Sequence, residues 1–292
     1  MPNGIIVIDK PQGWTSMDVC AKLRGIFREK RIGHAGTLDP MATGVLPVFI
    51  GRATRAVEFA SESEKEYIAG LKLGVITNTQ DTSGEVLEER PVSVTPEELE
   101  AALNPFRGDI EQIPPMYSAI KINGKKLYEL ARKGREVERK PRPVTIHSLT
   151  VEGQTGPDEY LLRVRCSKGT YVRTLCHDIG QTLGCGGAMS SLRRTMAAGF
   201  SLADAVPLDV VQQAADAGEA AALLRPVDAY FSQHPALTVP PALEKKLRNG
   251  MTLVMPQTAP GEYRVYGEDG GFLALCSAKD GKLTTIKSFF EA

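Results

Sequence analysis

Several common classes of protein are excluded by what this 292-residue chain does not contain. Its five cysteines (Cys20, Cys166, Cys176, Cys185, Cys276) form an odd set without a Cys-x-x-Cys spacing, and its four histidines include no His-x-x-x-His or His-Glu-x-x-His pair. Neither a disulfide framework nor a zinc centre is expected, and the cysteines read as small side chains in a reducing compartment. No apolar run approaches the roughly 18 residues of a membrane helix. The start Met-Pro-Asn-Gly-Ile-Ile lacks the basic and apolar stretches of a signal peptide, so a cytoplasmic location is expected. There is no Gly-Lys-Ser/Thr ending of a phosphate loop and no Gly-x-Ser-x-Gly elbow, which disfavours nucleotide hydrolysis and serine hydrolysis.

With 42% hydrophobic and 24% charged residues, the composition is that of a globular protein with ample core. Thirty-five basic and 35 acidic side chains cancel, but they are segregated along the chain. Lys121 to Arg142 holds nine Lys or Arg against three Glu; Lys22 to Arg31 carries a net of +4 and Arg163 to Arg194 a net of +5, whereas Asp81 to Glu100 carries one Arg against seven acids. A single basic run is usually a solvated face. Three of them, two containing tyrosines (Tyr128, Tyr171), suit a phosphate backbone with stacking groups between the charges.

The pattern predicts an α+β chain. Gly4 to Ile8 reads as a buried strand, and Thr15 with Asp18 as a capping box opening a helix with apolar face Val19, Leu23, Ile26 and Phe27. Tyr67 to Val75, Val144 to Glu152 and Tyr160 to Cys166 are strand-like; helices are expected after Thr95 and from Val172 to Leu183, the latter closed by Gly184. Strands and helices without strict alternation imply a mixed, mainly antiparallel sheet. Proline density near Gln233 to Pro241 marks a boundary, giving residues 1–232 and a small β-rich unit, 233–292.

The most constrained stretch is Gly33-His-Ala-Gly-Thr-Leu-Asp-Pro-Met-Ala-Thr-Gly-Val-Leu-Pro47, whose three glycines and two prolines impose a loop path and hold Asp39 extended before Pro40. On composition alone, Asp-Pro is as readily an ordinary turn. Together with Asp9-Lys-Pro-Gln-Gly-Trp-Thr-Ser16, Lys65-Glu-Tyr67, Pro114-Pro-Met-Tyr-Ser-Ala-Ile-Lys121, Ser167-Lys-Gly-Thr-Tyr-Val-Arg-Thr-Leu175 and Leu192-Arg-Arg194, however, the loop resembles the bacterial TruB-type tRNA pseudouridine-55 synthases over roughly the first 200 residues.

The resemblance implies a pseudouridine synthase-like catalytic domain followed by a PUA-like RNA-binding domain, and an isomerase that moves one uracil of the tRNA T-loop from an N- to a C-glycosidic bond. It implies no cofactor, no metal, no guide RNA and a stand-alone monomer. By resemblance, Asp39 is the catalytic aspartate, Arg173 pairs with it, and Tyr67 stacks on the target base and acts as its general base. Tyr171 and Leu192 line the pocket, and His34 enters the RNA stack where the uridine leaves. Lys10 and the Lys121 to Arg142 stretch face RNA, the latter gripping the T-arm. Outside the resemblance, Tyr67 and Leu192 read as core residues and His34 as a turn residue.

Met41 stands where leucine is common in the family, and Met196 to Ala198 where a basic residue and a serine are frequent. Two other classes remain open. A non-catalytic RNA-binding protein of the same architecture would not need Asp39, Tyr67 and Arg173 together. A two-carboxylate glycosidase would need a second positioned acid; Asp81 sits in an acidic, turn-rich stretch and Asp178 decorates a helix.

Overall fold

The computed structural model describes residues 2–122 and 124–291. The chain opens with β1 (Gly4–Lys10) and α1 (Ser16–Phe27). The continuous apolar run of β1 is explained by burial on both faces: Ile6 and Ile8 pack with Val19, Leu23 and Phe27 of α1, while Ile5 and Val7 join the opposite core. The expected capping box is present, with the Thr15 hydroxyl accepting from the Asp18 N–H and the Asp18 carboxylate accepting from the Thr15 N–H at 2.8 Å.

β2 (Ile32–His34) and β3 (Thr43–Ile50) flank the glycine-rich loop. After α2 (Val57–Glu62), β4 (Lys65–Leu73) stops at Gly74, whose φ of +82° turns the chain into the hairpin of β5 (Val75–Thr77) and β6 (Val86–Glu89). The strand expected through Val75 is therefore two. A second capping box, Thr95 with Glu98, starts α3 (Pro96–Leu103), and β7 (Gly108–Gln112) follows. The basic stretch holds β8 (Lys121–Ile122), β9 (Lys125–Lys126) and α4 (Leu127–Ala131). Then come the long hairpin of β10 (Arg142–Gly156) and β11 (Glu159–Cys166), α5 (Val172–Thr182), β12 (Gly187–Ala197), β13 (Phe200–Ser201), β14 (Val206–Pro207) and α6 (Leu208–Asp216).

Apart from the β5/β6 and β8/β9 pairs, which stand as separate two-stranded sheets, these strands form one sheet ordered β14-β1-β3-β12-β4-β11-β10-β7, with β2 added to β3 and β13 to β12. Only the β1/β14 and β3/β12 pairs are parallel, so the sheet is mixed and mainly antiparallel, as expected. At its centre one row crosses five strands in register: Lys10 faces Gly44, Gly44 faces Arg194, Arg194 faces Tyr67, and Tyr67 faces Val164. Gly44 is obligatory in that row. Its φ is +100°, and a Cβ there would lie 2.2 Å from the Arg194 carbonyl oxygen.

The C-terminal unit comprises β15 (Ala236–Thr238), α7 (Pro241–Arg248), β16 (Leu253–Val254), β17 (Gly261–Tyr266), β18 (Phe272–Lys279) and β19 (Lys282–Ser288), with strand order β15-β17-β18-β19-β16. It has its own core around Val265, Leu273, Cys276 and Leu283, and it is also seated on the larger body. Phe231 meets Phe59 edge-on at 5.4 Å and Phe289 at 5.6 Å, Arg55 donates to Ser288 at 2.9 Å, and Lys287 pairs with Glu58 at 2.6 Å. Among the described residues no helix is long and apolar enough to cross a membrane, and all five cysteines are buried and unpaired.

Candidate active site

Asp39 sits on the loop between β2 and β3, and the backbone on both sides of it is fixed. Before it, the Leu38 N–H donates to the Ser16 hydroxyl at 2.9 Å, and that hydroxyl donates to the Leu38 carbonyl at 3.3 Å. After it, the Pro40 carbonyl accepts from the Gly13 N–H at 2.8 Å and from Lys10 Nζ at 3.4 Å. The carboxylate itself is 38% exposed and is gripped from one side, with Arg173 Nε at 3.0 Å from its Oδ2. The sequence expectation of an Asp39–Arg173 pair is thus matched by the geometry.

Arg173 is nearly buried, at 8% exposure, on the first turn of α5. Its Nη1 donates to the Thr79 carbonyl at 3.2 Å and its Nη2 to the Tyr117 carbonyl at 2.8 Å. Asp81 Oδ2 lies 3.7 Å from Nη1. The guanidinium fork is therefore used on three sides, an arrangement a lysine cannot reproduce.

Though Asp81 sits in an acidic, turn-rich stretch, it is buried, and its Oδ1 accepts from the Thr79 hydroxyl (2.9 Å), the Ser83 N–H (3.0 Å) and the Ser83 hydroxyl (2.5 Å). A carboxylate so fully hydrogen-bonded is fixed in place behind Arg173. The only trace in the sequence was Thr79-Gln-Asp81-Thr-Ser83, a run able to form such a side-chain turn.

Tyr67, Leu192 and Arg194 share one face of the sheet, because Tyr67 is opposite Arg194 and Ala69 opposite Leu192 on β4 and β12. Tyr67 and Leu192 are buried with Leu38, the neighbour of Asp39, in one apolar cluster. Burial pushes the Tyr67 phenol above its ordinary range, against the opposing pull of Arg194. Tyr171 immediately precedes α5, and its backbone is clamped by Gln112, whose Oε1 accepts from the Tyr171 N–H at 3.0 Å and whose Nε2 donates to its carbonyl at 3.3 Å. Burial raises the Tyr171 phenol as well. His34 ends β2, and burial first, then the charge of Arg194, hold its imidazole below the ordinary histidine value.

Two expectations are corrected. Lys10 does not face outward to RNA: it is 0% exposed, and its ammonium donates to the carbonyls of Pro11 (2.9 Å), Trp14 (2.6 Å) and Pro40. Burial lowers its pKa to about 8, with Asp39 opposing and Arg194 adding to the shift. Lys10 is thus a staple between the Pro11 to Trp14 turn and the Asp39 loop. Nor does the run from Arg163 to Arg194 form a free basic surface. Arg163 pairs with Glu66 and Glu152, Arg165 with Glu64, Lys168 with Glu62 and Arg193 with Asp9, while Arg173 and Arg194 are buried. The Lys121 to Arg142 run is different, with Lys121, Lys125, Arg132, Lys133, Arg135, Lys140 and Arg142 all exposed.

The family model described as TruB family pseudouridylate synthase (N terminal domain) matches residues 24–172, and that of the tRNA pseudouridylate synthase B C-terminal domain matches 173–232. Their junction falls beside Arg173, so the Asp39–Arg173 pair joins the two segments. The chain is 41% identical to the tRNA pseudouridine synthase B of Clostridium kluyveri over 98% of this chain and 99% of that one, and 44% identical to that of Shouchella clausii over 98% and 97%. Among solved structures it resembles a chain of a Cbf5-Nop10-Gar1 complex with a TM-score of 0.74 at 25% identity, covering 98% of this chain and 85% of that chain. A chain from an H/ACA RNP bound to a substrate RNA containing 2'-deoxyuridine shares the fold, with a TM-score of 0.73 at 24% identity over 99% and 85%. With the family models spanning 24–232 and relatives matching end to end, this chain belongs to the TruB family of pseudouridylate synthases.

Proposed function

We propose that the chain isomerises uridine 55 in the T-loop of tRNA to pseudouridine, with Asp39 as the catalytic carboxylate. In the balanced reaction the N1–C1′ bond breaks, the uracil turns, C5 bonds to C1′, and the C5 proton leaves to solvent while N1 gains one. The observation that carries the reading is a half-open carboxylate held by a nearly buried arginine at 3.0 Å, beside a buried phenol and an apolar wall. A carboxylate in that setting stabilises or traps positive charge developing at an anomeric carbon.

Arg173 orients Asp39 through its fork, and Asp81 holds Arg173. Tyr67 lies against the base and takes its proton; Tyr171 and Leu192 close the pocket. His34, which burial keeps neutral, fills the stack that the flipped uridine leaves, recovering part of the few kcal/mol that flipping costs. The exposed cations between Lys121 and Arg142 grip T-arm phosphates, with Arg132 stacked on the Tyr128 ring at 5.4 Å. Residues 1–232 form the catalytic domain and 233–292 a PUA-like RNA-binding domain. The enzyme works in the cytoplasm as a monomer without a guide RNA, in keeping with the higher identity to proteins named tRNA pseudouridine synthase B than to a chain of the Cbf5-Nop10-Gar1 complex.

The test uses a tRNA transcript tritiated at uridine C5, with wild type and Asp39→Asn. Release by the wild type alone is expected, since the C5 proton is lost only when C1′ moves there. No release by either protein, with tRNA binding intact, would refute catalysis and leave an RNA-binding protein.

A further inference from the structure

Arg194 is among the largest fully buried side chains, at 1% exposure, and among the described residues no carboxylate lies within 4.0 Å of its guanidinium. Burying an unpaired charge is expensive, so its position calls for a reason. Its Nε donates to the Val45 carbonyl at 2.7 Å and its Nη2 to the Gly36 carbonyl at 3.1 Å. Gly36 and Val45 lie on either side of Asp39, so one guanidinium ties both limbs of that loop. The glycine at 36 serves this contact: its φ is +83°, and a Cβ there would come within 3.3 Å of Arg194 Nη1. On the neighbouring strand Tyr67 is the direct cross-strand partner of Arg194 on the same face of the sheet, and the charge of the guanidinium acts on the phenol.

We propose that Arg194 is a positioning residue for Tyr67, fixing the phenol oxygen relative to the Asp39 loop and stabilising its phenolate with a facing positive charge. The inference rests on the reading of Tyr67 as the group that takes the base's proton. The groups around the pair are few. Cys166 on β11 and Asp39 on its loop act on the phenol beside Arg194. Lys10 on β1, His34 at the end of β2 and Lys65 on β4 all feel the Arg194 charge. The cations meeting here are Lys10, Lys65, Arg194 and Arg173, the last paired with Asp39; Asp39 is the carboxylate that acts on the phenol, while Asp18 acts on Lys10 and Glu62 on Lys65. Removing the guanidinium therefore raises the proton affinity of Tyr67 and loosens the loop together.

The experiment measures single-turnover isomerisation against pH, tRNA affinity and thermal stability for Arg194→Lys, which keeps the charge and loses the fork, and Arg194→Met, which keeps the bulk and loses both. Arg194→Met is expected to slow the reaction about 100-fold, with tRNA Kd within about threefold of wild type, and to move the rising limb of the pH profile to higher pH. Arg194→Lys should restore the limb toward wild type while remaining slower. In a Tyr67→Phe background either substitution should add less than about threefold, because the group it acts through is gone. An unmoved pH profile, additivity with Tyr67→Phe, or failure of both variants to fold would place Arg194 in the scaffold alone and overturn the inference. Absence of tritium release by the wild type would instead refute the functional reading, so the two failures are separable.

Discussion

Replacing Asp81 by asparagine should slow the reaction without releasing the tRNA. Asp81 Oδ2 stands 3.7 Å from Arg173 Nη1. At an effective dielectric constant of 20 that separation corresponds to about 4.5 kcal/mol of attraction, of which desolvation of the two ions leaves roughly 1–3 kcal/mol net. In Asp81→Asn the amide oxygen can still accept from Ser83, but the amide nitrogen then opposes Nη1, donor against donor. Arg173 keeps Asp39, Thr79 and Tyr117 as partners, so it shifts rather than leaves. A loss of about 1.4–2.8 kcal/mol at the transition state is a 10- to 100-fold fall in single-turnover rate, and a displacement of even 1 Å is enough for it. The assay is tritium release with enzyme in excess, beside tRNA Kd by filter binding and a thermal melt. A folded Asp81→Asn protein that turns over within twofold of wild type would refute the claim that Arg173 is held from behind.

Arg173→Lys should fall further, by at least about 100-fold in single-turnover rate, since one ammonium cannot serve Asp39, Thr79 and Tyr117 together. His34→Ala should weaken tRNA binding or slow turnover; because burial depresses the imidazole's proton affinity, the defect should be the same across pH 7–8, which binding isotherms at each pH would check. Lys10 has its pKa lowered from 10.5 to about 8, so between those values the unfolded chain binds more protons than the folded one and stability rises with pH. Relative to Lys10→Met, the wild type should gain up to about 3 kcal/mol between pH 8 and 10.5 in urea denaturation, and a constant difference would contradict the burial of that ammonium.

How much of this was legible in the sequence depended on the range of the physics involved. The capping box at Thr15 and the helix start at Thr95 rest on local hydrogen bonds, and both lie where the sequence places them. The loop carrying Asp39 announced itself because glycine and proline restrict the backbone directly. The burial of Lys10 and Asp81 is not legible because a charged residue beside a turn carries no local mark of burial; the carbonyls that satisfy Lys10 come from two separate turns. Arg193 and Arg194 look alike as a basic pair, yet strand alternation sends one to Asp9 and the other into the core. The same register decides the fate of Arg163 and Arg165, neutralised by Glu64, Glu66 and Glu152 only because β10 and β4 flank β11.

The distribution of buried charge bears on why the reaction proceeds in this pocket. Lys10, Lys65 and Arg194 have their donors turned to backbone carbonyls, and the carboxylate of Asp39, held by Arg173, is left half open beside them. When the N1–C1′ bond of the uridine breaks, the sugar carries positive charge and the detached uracil negative charge. On the proposed placement, with the sugar at Asp39 and the base over these cations, the pocket stabilises both halves of that separation without reorganising, and in a low-dielectric interior such fixed charges act more strongly than solvent would. On the proposed role of Tyr67, the proton then moves from C5 within reach of a phenol that Arg194 polarises. On this reasoning the three cations act on the separated state more than on uridine binding, and neutralising any one of them should lower the single-turnover rate more than tRNA affinity.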